Sequence, residues 1–336
     1  MNRRELISAG LALPFAAGVG VSARAAAQKV KVVIPENSVF VLSWQGARDA
    51  GVFTKHGIDL EVDVRPFAGY LAGLPSKECL ATTYAGLEAI AKINQGVDWA
   101  IIGGGLTVFQ EVFVRTDSPI QKIEELRGKK FGTFSTASGA LKATRAALID
   151  AYGFDLAKET KLVQLAPPAL FKLVENGSID AMVNISSFTV DAASQPQKFR
   201  AIFSPNDYWK KKTGYPIVWS APLVAWRSWV EQDVPRARAF AAAAEESFLR
   251  LRDPGYFDVA VKKYGTLAGI KGPAAIATYK KWLGEKRLFL AEWTKKAVGA
   301  QWQFLEMAKA NGVLDKVPEE KKYAQLVQPD GKEKPE

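Results

Sequence analysis

The sequence predicts an α/β protein of two discontinuous lobes joined by two hinge crossings. Three features point there. Strand and helix signals alternate from Val30 onward, the turn Thr116-Asp117-Ser118-Pro119 splits that alternation into two runs, and an apolar return at residues 217–226 leads into a helical tail. Strands separated by helices build parallel sheets. At roughly 100–200 residues per domain, a chain of 336 residues is long enough for two.

Residues 30–34 (Val-Lys-Val-Val-Ile) read as a short buried strand. Residues 43–55 carry Trp44, Ala47, Ala50 and Val52 at helical spacing, with Ser43 as N-cap and Gly57 as left-handed terminator. Residues 58–64 alternate apolar and charged side chains, the clearest strand signal in the chain. A helix at 84–94 closed by Gly96, a strand at 99–102 and a strand at 109–115 complete the first run. The turn at 116–119 is taken as the exit from the first lobe.

The second run holds a short helix at 120–126 and a strand at 130–134. A helix at 138–152, with Gly153 beyond it, is followed by a strand at 162–165, a helix at 168–175 and a strand at 179–183. Residues 205–216 read as loop, and the apolar segments 217–219 and 223–226 as the return to the first lobe. Helices at 234–252, 273–283 and about 288–310 form the tail. The expected division is therefore residues 28–117 plus 220–320 for lobe one, 118–216 for lobe two, and a charged tail at 321–336. Two crossings imply a hinge and a cleft.

Residues 1–27 read as an export signal. Arg3-Arg4 precede an apolar run from Leu6 to Val21 that ends at Ala23-Arg24-Ala25, the layout of a twin-arginine leader cleaved near Ala25 to Ala27. The run is short and rich in glycine and alanine, which disfavours a membrane span. The expected location is periplasmic. Net charge is +10, falling to +8 when three arginines and Glu5 leave with the leader. A positive field draws small anions, and export argues against a nucleic-acid partner.

The catalytic inventory is thin. His56 is the single histidine and Cys79 the single cysteine, so no disulfide, multi-cysteine metal site or iron–sulfur cluster can form within the chain. His56 ends a helix with no paired nucleophile nearby. Gly103-Gly104-Gly105 lacks the Gly-Lys-Ser/Thr of a phosphate loop. No catalytic residue, metal or cofactor is expected.

The informative stretch is Phe134-Ser135-Thr136-Ala137-Ser138-Gly139-Ala140, which follows a strand and opens a helix with three hydroxyls among small residues. Free N–H groups and the helix dipole make such a start an anion site, unless the N-cap side chain consumes them. Ser135, Thr136, Ala137, Ser138 and Gly139 are therefore candidate ligand contacts. Three further strand ends face the same cleft, offering Ser43 and Trp44, then Thr82, Thr83 and Tyr84, then Asn184, Ser186, Ser187 and Phe188. Trp219 joins Trp44, Tyr84 and Phe188 as aromatic surface for an organic ligand.

Three segments carry a family resemblance. Ala47 to Glu61 (ARDAGVFTKHGIDLE), Asp117 to Ile120 with Glu125 to Gly132 (ELRGKKFG), and Glu175 to Ala181 (ENGSIDA) occur in this order. Together they resemble the nitrate/sulfonate/taurine/bicarbonate-type binding proteins of ABC transporters, including binders of pyrimidine precursors. The resemblance runs through most of residues 30–250. It implies a type II periplasmic-binding fold, a monomer that captures a small anionic organic ligand such as a sulfonate or carboxylate, and delivery to an ABC permease in the inner membrane. It places the anion-holding loops on Ser135 to Gly139, on Thr82 to Tyr84 and on Asn184 to Ser187. Ser76 to Ala81 (SKECLA) departs from the family's second Gly-x-x-Asp element, which leaves the ligand class open. The rival expectation is a pyrimidine-synthase-like or menaquinone-pathway enzyme on the same fold, for which the histidine and cysteine content is poor.

Overall fold

The computed structural model describes residues 28–324. The export-signal expectation for residues 1–27 and most of the charged tail lie outside the described residues.

The first βαβ unit forms as its patterning requires. β1 (Gln28–Pro35) and β2 (Ile58–Arg65) pair in parallel, with Val30 opposite Leu60 and Val32 opposite Val62. Between them lie α1 (Phe40–Asp49) and α2 (Val52–Lys55), broken at Gly51, whose φ of 71° a helix cannot continue through. The single helix expected at 43–55 is thus two, and it begins earlier. The Ser38 hydroxyl accepts from the Phe40 N–H at 3.3 Å, which leaves Ser43 inside the helix.

Next come α3 (Phe67–Gly73), β3 (Ala81–Thr83), α4 (Gly86–Asn94) and β4 (Trp99–Leu106). The triple glycine sits inside β4 for a steric reason. A Cβ at Gly104 would lie 1.9 Å from the Leu290 carbonyl oxygen, and one at Gly105 2.2 Å from that of Ala221.

The chain then crosses, and β5 (Val112–Arg115) starts the second lobe, followed by β6 (Lys130–Thr133), α5 (Gly139–Tyr152), α6 (Leu156–Glu159) and β7 (Lys161–Gln164). α7 (Pro167–Glu175), β8 (Ala181–Val183), α8 (Ser186–Ala193), β9 (Phe199–Phe203) and α9 (Pro205–Thr213) complete it. The return strand β10 (Ala221–Trp226) leads into α10 (Arg227–Gln232), α11 (Val234–Arg250), α12 (Pro254–Tyr264), α13 (Gly272–Gly284), β11 (Phe289–Leu290), α14 (Lys295–Ala310) and α15 (Glu320–Tyr323).

Two sheet systems result. In one, β1 carries β2 on one side and lies beside β3, which continues through β10, β4 and β11. The other has the order β7-β6-β8-β5-β9. In each, one antiparallel strand sits among strands contributed by the other run of the chain: β10 between β3 and β4, and β5 between β8 and β9.

That pairing moves the lobe boundary. The sequence reading puts β5 in lobe one, with the exit at 116–119, but its partners are β8 and β9. The crossing therefore falls at 107–111. Residues 205–216, read as loop, contain α9, capped by the Ser204 hydroxyl and ended by left-handed Gly214. The tail helix expected from about 288 starts at Lys295, because residues 289–290 pair with β4.

The two crossings run side by side, joined by the Val108 N–H to the Ile217 carbonyl at 2.7 Å. Segment 287–288 ties them to the helical tail. Thr107 N–H donates to Leu288 O, the Thr107 hydroxyl donates to Arg287 O, and the Arg287 guanidinium pairs with Glu111. Both charged side chains are largely buried, and burial holds the Glu111 carboxyl above its ordinary range despite the cation. Removing one partner of such a pair leaves a buried charge alone. Arg287→Ala should therefore cost about 3 kcal/mol in urea unfolding, and Glu111→Gln, which leaves the Arg287 cation buried without its counter-ion, should cost a similar amount.

Candidate functional site

The strands β1, β3, β6 and β8 all end at the junction between the lobes, where parallel sheets place ligands. Residues at or just beyond each strand end line the cleft: Pro35, which ends β1, with Ser38 and Phe40 after it, Ala85 after β3, Phe134, Ser138 and Gly139 after β6, and Ile185 and Ser186 after β8. Phe67 and Tyr70 of α3 form one wall. Leu106, Gln110, Ser220 and Ala221 form a floor made of the two crossings and the strand ends beside them. The cavity so enclosed is about 30 Å³, and among the described residues no charged side chain lines it.

The donors follow from helix geometry. The first N–H groups of a helix have no intrahelical acceptor. In α5 the Ser138 hydroxyl accepts from Leu141 N–H at 3.4 Å, leaving the Gly139 and Ala140 N–H groups without a helical partner. The Ser138 O–H proton also remains free to donate. Gly139 can come this close because it has no side chain: a Cβ there would lie 2.3 Å from Trp219 O and 2.9 Å from Gly86 N.

From the other lobe, Ser38 Oγ accepts from Phe40 N–H and from the Ser186 hydroxyl, the latter at 3.4 Å across the cleft. With both acceptor positions used, the Ser38 proton too is left to donate. Gln110 and Ser220 lie within 3.2 Å of each other across the two crossings. The Tyr70 phenol is buried, and loss of solvation raises its pKa far above the usual range, so it stays a neutral hydroxyl.

The cleft is held shut by contacts between lobes. Ser187 N–H donates to Asn37 O at 3.3 Å, Phe67 and Phe134 meet edge to face with centroids 5.0 Å apart, and Lys271 lies 5.2 Å over the Phe188 ring.

Of the residues singled out in the sequence, Ser138, Gly139 and Ser186 line this cleft. Ser187, next to Ser186, is buried with its hydroxyl unpartnered, and the remaining candidates are placed elsewhere, each for an identifiable reason. Trp44 is fully buried between Phe53 and Phe240, at 5.4 and 5.8 Å. Ser43 donates within α1 to Phe40 O. Thr82 donates to Val33 O and Tyr84 to Leu71 O, while Thr83 is buried in β3, so α4 opens two residues later than Tyr84. Ser135 caps the Ala137 N–H, and Thr136 is exposed with its N–H bound to Gln164. Ala137 lies between them and Ser138, half-buried. Asn184 braces its own loop through Pro167 O and Ile185 N–H. Phe188 packs on Phe171, and Trp219 is core, its indole bound to Gln301 O.

Sequence reasoning missed Phe67, Tyr70, Gln110 and Ser220. Pro66 followed by aromatic residues at i and i+3 was the available signal for α3.

His56 is far from this chemistry, its Nε2 2.9 Å from the Glu246 carboxylate near the surface. Cys79 is buried, which pushes its thiol up to about 11. Among the described residues, no three His, Cys, Asp or Glu side chains gather in a metal-binding group, and no helix is long and apolar enough to cross a membrane. A second cavity, about 80 Å³, opens at the opposite ends of the lobe-two strands beside Arg115 and Asp180. Arg115 is already paired there with Asp117 at 3.1 Å.

A family model described as NMT1/THI5 like matches residues 46–253. No curated protein matches the chain. Among solved structures, the periplasmic aliphatic sulphonate binding protein SsuA of Escherichia coli is similar with a TM-score of 0.66 at 15% identity, covering 92% of this chain and 95% of that one. The alkanesulfonate-binding SsuA of Xanthomonas axonopodis pv. citri, bound to MOPS, gives 0.65 at 12% identity over 89% and 98%. The desulfurization enzyme DSZB gives 0.58 at 14% identity over 90% and 97%. These likenesses establish the two-lobed α/β fold; both binding proteins and an enzyme use it.

One buried carboxylate near the cleft should show in the pH dependence of stability. Asp191 lies on α8, facing Tyr279 of α13 and Lys271, and burial outweighs the lysine to raise its pKa from 3.8 to about 6. The folded chain then holds this proton more tightly than the unfolded chain. Asp191 subtracts nothing below pH 3.8, subtracts progressively between 3.8 and about 6, and exerts its full penalty above that. Asp191→Asn should leave the melting temperature near wild type at pH 4 and raise it at pH 7.5. Equal shifts at both pH values would contradict the assignment.

Proposed function

The chain belongs to the NMT1/THI5-like family, and from that membership and the cleft geometry we propose that it is the periplasmic solute-binding component of an ABC importer. It captures a small organic anion, a sulfonate, carboxylate or similar group, and performs no chemistry on it.

The observation that carries this reading is the convergence of donors without a charged side chain. Gly139, with its free N–H, and Ser138, with its hydroxyl, line one cavity from lobe two together with Ser38 from lobe one. Such a set stabilises a weakly hydrated anion by dipoles, and because it draws on both lobes the closed state binds better than the open one. Only that differential affinity can drive closure. The cleft lining holds no nucleophile–base pair, which speaks against the enzymatic alternative. The arginine pair and apolar run in residues 1–27 support export, and delivery to an inner-membrane permease follows from the importer role. The SsuA proteins similar in fold are themselves named as binding proteins.

Ser138→Gly tests the reading cleanly. Glycine at an N-cap costs only a few tenths of a kcal/mol, yet it deletes the hydroxyl donor. A hydrogen bond to a charged group contributes about 1.5–3 kcal/mol. Calorimetry with a bound sulfonate or carboxylate should show at least a tenfold loss of affinity with the melting temperature of the free protein nearly unchanged. Unaltered affinity would remove the start of α5 from the site.

A further inference from the structure

The cleft walls carry more information than its donors. Aromatic rings reach it from both lobes: Phe40, Phe67 and Tyr70 from one, Phe134 from the other. We propose that the ligand is an aromatic acid whose single planar ring sits between Phe67 and Phe134, with its sulfonate or carboxylate turned to the start of α5. This rests on the reading that the cleft captures a small organic anion.

A cavity of about 30 Å³ holds a water or two and no six-membered ring. Any organic ligand must part the lobes, and the aromatic contact it disrupts is Phe67 against Phe134, edge to face at 82°. A ring inserted there offers each phenylalanine a new face or edge. An alkyl chain restores buried area without the quadrupole match, and a bare oxyanion restores neither.

Phe134 belongs to the same short loop as Ser138 and Gly139, so the ring wall and the acid donors are built together. Tyr70 lies behind Phe67 at 5.6 Å and supports that ring from its own side. Charge points the same way. With no carboxylate in the lining, amino-substituted or cationic rings find no anionic partner, while a singly charged acid finds hydroxyls and amides.

Isothermal titration of the full chain decides the matter, using benzenesulfonate and benzoate against hexanesulfonate, hexanoate, nitrate and 4-aminopyrimidine. The expected result is that the better aromatic acid binds at least tenfold tighter than its six-carbon alkyl counterpart, with nitrate silent. Phe134→Leu should compress that ratio below about threefold. Phe67→Leu, on the opposite wall, should do the same and carries the test if the first variant does not fold. Equal or tighter binding of the alkyl acids would overturn the ring proposal while leaving anion capture intact. A ratio that survives in either folded variant would overturn it too. Binding of 4-aminopyrimidine alone, or of none of these compounds, would sink both readings.

Discussion

The close approach of Gly139 to the hinge backbone is the constraint on which the molecule turns. The first residue of α5 belongs to lobe two, yet it rests on the carbonyls of Trp219 and Ser220, which belong to the return crossing. No side chain fits between them. The amide donors of α5 therefore sit at the cleft floor, where the two crossings lie side by side. Gly86 repeats the device from lobe one: a Cβ there would lie 2.7 Å from Trp219 O. Two helix starts from two lobes are thus seated on one stretch of backbone.

From that seating the interface between lobes follows. Ala140, Ala143 and Ala146 of α5 pack into the same core as α4 and α14, and small side chains let those helices come close. The other face of α5, with Leu141, Ala147 and Leu148, belongs to the lobe-two core. One helix is shared by two cores. Across the cleft from it, α8 touches α13 through Asp191 and Tyr279 and sends Val190 into the lobe-one core. The Lys142–Glu88 ion pair and the Phe67–Phe134 ring contact join the lobes beside these small residues. The buried Glu111–Arg287 pair and the Thr107 bonds anchor the first crossing to segment 287–288.

Charge is distributed unevenly between the chain and its cleft. The chain carries a formal charge of +10, yet its cleft lining is uncharged. A positive field draws anions towards a surface, whereas the cleft lining offers hydroxyls and amides and no charged side chain. Aromatic rings form the walls of that lining. A desulfurization enzyme shares this fold at 14% identity, so the fold alone does not decide between holding a sulfur acid and cleaving it; the side chains at the strand ends do.

Local patterning was enough to settle the class of fold. Alternation at Ile58 to Val64, helix terminators at Gly57, Gly96 and Gly153, and the strand-to-helix loop before Gly139 are short-range signals set by backbone sterics and by burial on one face. The same signals pointed to Ser138, Gly139 and Ser186, because a helix start after a parallel strand advertises its free amides within a few residues. Packing between distant segments settled the rest. Whether β5 belonged to the first lobe or the second depended on its partners β8 and β9, which come much later in the chain. Trp44, Tyr84 and Trp219 look alike in sequence to Phe67 and Phe134, but only packing says which rings are core and which face a cleft. An aromatic residue's local pattern reports that it will be buried; which surface buries it is fixed by chain segments that no short window contains.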